Sequence, residues 1–340
     1  MSEELAARIE RATALSMSAP EPAVWRNVLV GTAGWTEPSL VKSHLFYPRG
    51  ASTPRARLQH YARHFGMVEV DASYYTLIAP EVAARWVEWT PSSFCFDVKA
   101  NPVLTGHPVD VSRLPRDLRE RVVREHGEEK HVYPAQLSPE IATEIESRFR
   151  AFVEPLRAAG RLGAVLLQLP PWVQATRGNV RQLEAVLARW AEVPLAVEFR
   201  HGSWLSPDRR DRVLAVLGAA RASYVVVDEP DVPLGGVPPV LAVTNPTLAI
   251  VRFHGHNKPG WRRGASVAER FDYVYTPEEL SAWVPSVKQL GDEAGTVHAV
   301  FNNCVRNYAV IDAKGLSSLL CAANDGGDDT KADDRTPSAR

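Results

Sequence analysis

The sequence predicts a TIM-type (β/α)8 parallel barrel, a single-domain α/β fold with a helical insertion after the third strand. Three observations carry this: eight short β-rich apolar runs, helix-period segments between them, and polar side chains gathered at the C-terminal ends of the runs. A parallel neighbour can be reached only by a crossover, so strands alternating with helices read as βαβ units. Eight such units suggest a closed ring. The 340 residues, 45% apolar and 23% charged, suit one barrel or two smaller domains. They exclude disordered, collagen-like and disulfide-scaffold classes.

In chain order, residues 1–24 form an N-terminal extension, expected to be partly disordered, with a helical pattern from Glu3 to Ala14 and a Pro-containing stretch from Ser18 to Ala23. The barrel is expected over 25–323. Its strands are read at Val28 to Val30, Met67 to Val70, Phe94 to Val98, Gly163 to Leu169, Leu195 to Phe199, Ser223 to Val227, Leu248 to Phe253 and Thr296 to Phe301. Helical patterns run from Pro54 to His64, Pro80 to Glu88, Asn179 to Trp190, Pro207 to Ala220, Pro277 to Leu290 and Tyr308 to Ala322. Several start at proline, which fits a first helical turn. The long interval after the third strand holds an insertion at about 101–138, with a helix from Arg113 to His126, and then a crossover helix from Pro139 to Ala159. The stretch Phe253 to Phe271 is a long loop, expected to be a lid or a mobile segment. The acidic tail 324–340 lacks apolar residues and is expected to be disordered.

The formal charge of -1 gives the chain as a whole no electrostatic footprint for nucleic acid. No apolar run approaches a membrane span and the polar start has no signal-peptide apolar region, so the expectation is a cytoplasmic protein without a membrane partner. Cys95, Cys304 and Cys321 are scattered, and their spacing indicates neither a disulfide framework nor a thiolate zinc site. There is no G-x-G-x-x-G, P-loop or G-x-S-x-G, so no nucleotide cofactor motif supports a dehydrogenase, NTPase or serine hydrolase.

The polar residues are the informative ones. Side chains alternate along a strand, so Glu69 with Asp71, Asp97 with Lys99, Glu198 with Arg200, and Arg252 with His254 each share a face. Their neighbours are apolar and suit packing on outer helices, which turns the polar members inward, at the end where barrels of this kind build active sites. The expected catalytic residues are Glu69, Asp71, Lys99, Glu198 and His254. The expected substrate-binding residues are Trp35, Tyr75, Gln168, Arg200, His201, Trp204, Asp228, Arg252, Asn302 and Asn303. The competing reading is that the charges only neutralise one another.

Three chemistries are open. In the first, Glu198 or Asp71 is a base, His254 an acid, and Arg200, Arg252 and Lys99 clamp a small polar or anionic substrate, as in a lyase, isomerase or hydrolase. In the second, Glu69, Asp71, Glu198, Asp228, His201, His254 and His256 hold one or two divalent metals for hydrolysis of a phosphoester or similar bond. The three cations on the same rim oppose that. In the third, a non-catalytic mouth binds a nucleotide, a sugar or a nucleic-acid strand, helped by Lys258, Arg262, Arg263 and Arg270. A Schiff base on Lys99 is opposed by Asp97, which favours the charged amine.

The segments GTAGW with FYP (Gly31 to Trp35, Phe46 to Pro48), YARHFGMVEVDASYY (Tyr61 to Tyr75), FCFDVKA (Phe94 to Ala100), LGAVLLQLPP (Leu162 to Pro171), VEFRHGSW (Val197 to Trp204), VRFHGH (Val251 to His256) and FNN (Phe301 to Asn303) resemble, in order, the YecE-like family, domain of unknown function 72. The resemblance implies a β/α-barrel and leaves the activity unassigned. The chain departs from the family pattern where Asp71, Ala72 and Ser73 follow the second strand, which adds a carboxylate beside Glu69, and where Cys304 follows the paired asparagines.

Overall fold

The computed structural model describes residues 2–325 apart from 231, 233–235 and 263. The tail from 326 on and Arg263 of the basic loop lie outside the described residues. Eight parallel strands form the centre: β1 (Val28–Thr32), β2 (Met67–Val70), β3 (Cys95–Lys99), β4 (Leu162–Gln168), β5 (Leu195–Glu198), β6 (Ser223–Asp228), β7 (Leu248–Phe253) and β8 (Thr296–Phe301). Their ladder order is β1-β8-β7-β6-β5-β4-β3-β2, and a two-residue strand, Val24–Trp25, pairs antiparallel with β1 to make a nine-stranded sheet.

Side-chain contacts show how strongly the sheet curls. Along the ladder β7 and β2 are five positions apart, about 24 Å in a flat sheet at about 4.8 Å per strand. Yet Arg252 on β7 reaches Glu69 on β2 at 2.7 Å. The two end strands are linked by a bridge between Ala33 and Glu69.

The longer helices are α1 (Glu3–Ser16), α2 (Pro54–His64), α3 (Pro80–Trp89), α4 (Arg116–His126), α5 (Pro139–Ala158), α6 (Arg177–Arg189), α7 (Arg210–Ala219), α8 (Pro277–Glu293) and α9 (Tyr308–Asp325). Local sequence sets several starts. Thr53 caps α2 ahead of Pro54, and Thr276 with Glu279 forms a reciprocal capping box around Pro277. The main core, with Val68, Val165, Val197, Val251, Phe149 and Leu187 among its residues, is continuous across the strands and the helices that cover them.

Three features differ from the sequence expectation. The N-terminal segment, expected to be partly disordered around a helical pattern from Glu3 to Ala14, holds that helix as α1 and packs it on α9: Ala12 is buried with Val274, Tyr308 and Ile311, and Ser318 Oγ donates to the Leu15 carbonyl at 2.9 Å. The segment 101–138 is not purely helical. It adds a two-stranded ribbon, Val109–Asp110 against His131–Val132, over its own apolar cluster with Leu118, Val122 and Ile141. Between β6 and β7 the described residues contain no helix, so the βα repeat lapses there. The physical reason is proline: Pro230, Pro238, Pro239 and Pro246 remove helix donors and clash with preceding turns.

Candidate active site

Alternation along β2, β5 and β7 turns Glu69, Glu198 and Arg252 to the interior, where they meet. Arg252 is the hub: Nη2 donates to Glu69 Oε1 at 2.7 Å and Nη1 to Glu198 Oε2. Glu198 Oε1 accepts from Gln168 Nε2 at 3.1 Å and from Arg200 Nη1 at 3.0 Å, and the same Arg200 nitrogen lies 2.9 Å from Glu229 Oε2. Glu69, Glu198, Arg252 and His254 are all at most 1% exposed.

The two carboxylates differ in proton affinity. Burial pushes Glu69 up to about 7, only partly offset by Arg252 and Lys99. Burial works the same way on Glu198, but Arg252, the adjacent His254 and Arg200 together outweigh it and hold this acid well below the ordinary carboxylate range. Two acids on one guanidinium are thus kept in different protonation states.

His254 follows β7 on the same face as Arg252. Its Nδ1 lies 3.0 Å from Asn302 Nδ2, an amide donor that places the neutral ring's proton on Nε2. Nε2 is 3.3 Å from Glu198 Oε1 but has no hydrogen-bond partner among the described residues. Burial is the main reason that His254 is pushed down to about 3, so it is a neutral donor at pH 7. The loop after it supplies a roof. Phe271 packs 5.7 Å from the His254 ring, and Arg200 lies 5.0 Å over Trp261, centroid distances that suit aromatic and cation–π contact.

The rim is more open. Lys99 Nζ donates to Asp71 Oδ1 at 2.8 Å and lies 4.8 Å over the Tyr74 ring. Tyr74, Tyr75, His107 and Trp172 form an aromatic wall, His107 standing 5.2 Å from Tyr74 and 5.7 Å from Trp172. Burial, with Lys99 and Arg200 adding positive charge, lowers His107 to about 4. On the far side Asp228 Oδ2 accepts from Tyr275 Oη at 2.6 Å and Oδ1 lies 2.9 Å from His256 Nε2, whose pKa is raised by that contact.

Four expected binding residues are placed elsewhere. Trp35 is buried edge-on against Trp86 of α3, 5.1 Å between centroids. Trp204 is fully buried, stacked on outward-facing Phe199, with its indole donating to the Val173 carbonyl at 2.7 Å. His201 accepts from the Ser203 backbone N–H at 3.1 Å and caps a short turn. Asn303 is buried and donates to the Tyr273 carbonyl and to Asp312 at 2.8 and 2.6 Å. In each case parity or loop position was read as pointing to the mouth, but the chain turns after the strand end. The acids expected to share metals do not cluster as ligands at the mouth; among the described residues the close grouping of donors is Cys95, Asp97 and His298.

Phe271, Tyr275 and His107 belong to the site or its walls without having been singled out for it, whereas Trp261, like Trp172 and Tyr74, is an aromatic residue that the sequence places in a loop or turn after a strand. Glu229 had a signal, as a second acid after β6. His107 had none, since it comes from the 101–138 segment.

The family profile described as "Protein of unknown function DUF72" matches residues 29–336. The UPF0759 protein YunF of Bacillus subtilis (strain 168) is 31% identical over 297 residues, 86% of this chain and 94% of that protein. A crystal structure of a DUF72 family protein (EF0366) from Enterococcus faecalis V583 aligns with a TM-score of 0.70 at 25% identity, covering 92% of this chain and 99% of the other. Another, TM1631 from Thermotoga maritima MSB8, aligns at 0.67 and 29% identity over 86% and 98%.

Proposed function

We propose a function for a chain that belongs to DUF72, a family of proteins of unknown function: the mouth of the curled sheet is an acid/base site for a small polar or anionic molecule. Glu69 is the proton-exchanging group, Glu198 the permanent anion that orients Arg252 and Arg200, and His254 Nε2–H a neutral donor to developing negative charge. Lys99, with Gln168 and Asn302, stands at the half-open rim and meets the substrate first. We also read the curl as a closed eight-stranded ring with the Ala33–Glu69 bridge as its seam, supported by the Arg252–Glu69 contact across the interior.

The observation that carries the reading is the shared guanidinium with carboxylates of divergent proton affinity. Paired acids pushed apart by their surroundings are how acid and base roles are assigned at neutral pH. An acid raised to about 7 exchanges its proton near neutral pH, where an acid/base role needs it. The guanidinium contacts also compete with a metal for Glu69 and Glu198, which favours acid/base work over metal-assisted hydrolysis.

The test is a panel of small phosphorylated and carboxylated compounds, screened by thermal shift and then for turnover by NMR. A compound that stabilises the wild type should lose its shift with Lys99→Met. Its turnover should fall about 100-fold or more in Glu69→Gln with binding kept, the usual weight of a general acid or base. Turnover unchanged in a folded Glu69→Gln, or a panel without any binder, contradicts the proposal.

A further inference from the structure

Deeper in the sheet, toward the N-terminal ends of the strands, a second polar group is present that the mouth does not use. Cys95 lies four residues before Lys99 on β3, and His298 four residues before Asn302. Both, with Asp97, are the close donor grouping noted above: one ligand atom from each residue lies within 4.8 Å of the others. His298 Nδ1 is 3.0 and 2.9 Å from the two Asp97 oxygens. The strands that carry them, β3 and β8, are five ladder positions apart, so the group forms across the interior.

Gly163, at the start of β4, is an independent sign that the three side chains are drawn together here. A Cβ at that position would stand 2.3 Å from Asp97 Oδ1, 2.6 Å from His298 Cε1 and 2.7 Å from Cys95 Sγ. The three side chains converge on the residue type that has none. Asp97 and His298 are each 2% exposed, while Cys95 is half-buried and leaves a way in from the N-terminal end. At the mouth, Glu69, Glu198 and Glu229 are taken by Arg and Asp71 by Lys99. Asp97 has no such partner among the described ion pairs, only His298.

We propose that Cys95, Asp97 and His298 bind one divalent cation of the zinc class, with water as fourth ligand. Thiolate, imidazole and carboxylate together are a donor set for Zn²⁺, a choice that the spacing of the cysteines in the sequence did not indicate. Bonds of about 2.0 to 2.3 Å put tetrahedral donors about 3.3 to 3.8 Å apart, a spacing that donors already within 4.8 Å of one another reach by small side-chain adjustments. The thiol proton and the displaced imidazole proton leave to solvent, so uptake is proton-linked. The ion pins β3 to β8 beneath the mouth.

The full-length chain, stripped with chelator, is titrated with Co²⁺ and, separately, melted with and without Zn²⁺. The expected result is one equivalent of cobalt with a thiolate-to-cobalt charge-transfer band, and a higher Tm with Zn²⁺. Cys95→Ser should abolish the band, His298→Gln should weaken binding at least tenfold, and Cys304→Ser should change neither. Should His298→Gln fail to fold, the near-isosteric Cys95→Ser still decides the matter. A missing band, a band that survives Cys95→Ser, or a Tm indifferent to Zn²⁺ overturns the proposal.

Discussion

Arg252 shows most plainly how one residue shapes the site. It is fully buried, and its fork joins acids from two strands that a flat sheet would hold far apart. Arg252→Met should cost about 3 to 5 kcal/mol in a urea melt, because two buried carboxylates lose their partner. The sequence made the inward set legible by parity: Glu69, Glu198, Arg252 and His254 meet as alternation requires. It could not show who pairs with whom, since partners from distant strands are chosen by curvature. Nor could it show that Trp35 and Trp204 turn away, because loop residues have no parity.

The pH dependence of stability is also set by single residues, and two of them oppose each other. Glu69 is raised from 4.5 to about 7, so the folded state holds a proton that the unfolded chain has lost, and stability falls as pH rises across that window. His254 is lowered from 6.5 to about 3, so its contribution is present above 6.5 and is lost as pH falls toward 3. Each slope has a ceiling of about 1.4 kcal/mol per pH unit. Chemical denaturation of Glu69→Gln across pH 4.5 to 7 should therefore show stability rising more steeply with pH than in the wild type. Parallel profiles for the two proteins would remove the raised acid from consideration.

At the scale of elements, the strands and most helices were written in the sequence as apolar runs and proline-led amphipathic segments. The exceptions have physical causes. Prolines suppress a helix before β7, where the eightfold repeat would need one, and α1, legible as a helical pattern from Glu3 to Ala14, is docked by burial of Ala12 against Val274, Tyr308 and Ile311, a tertiary effect that a short polar helix does not announce. The approach of β1 to β2 rests on Gly31, where a Cβ would stand 2.4 Å from the Met67 carbonyl oxygen. Backbone cannot yield as a flexible side chain can. Gly31→Ala should destabilise by about 1 to 3 kcal/mol or more, read as a fall in Tm; an unchanged Tm would mean that the two strands are not held so closely.

Over the whole molecule, an inner layer of buried charge is covered by Trp261 and Phe271 and bordered by a half-open rim. No helix among the described residues is long and apolar enough to cross a membrane. Burial, with the Arg200 and Arg252 charges, keeps His254 neutral, and the Phe271 and Trp261 rings are part of what covers it. Trp261→Ala should raise the His254 pKa toward its ordinary value in a ¹H–¹⁵N NMR titration. It should also remove about 0.5 to 2 kcal/mol of cation–π contact with Arg200.

The most direct measurement is a ¹³C NMR titration of protein labelled at glutamate side-chain carboxyls, with Glu69→Gln and Glu198→Gln variants assigning the two resonances. Glu69 should titrate near 7 and Glu198 well below 4.5, each curve vanishing in its own variant. If both carboxyls titrate together in the ordinary acid range, Arg252 merely neutralises them, and the mouth is not an acid/base site.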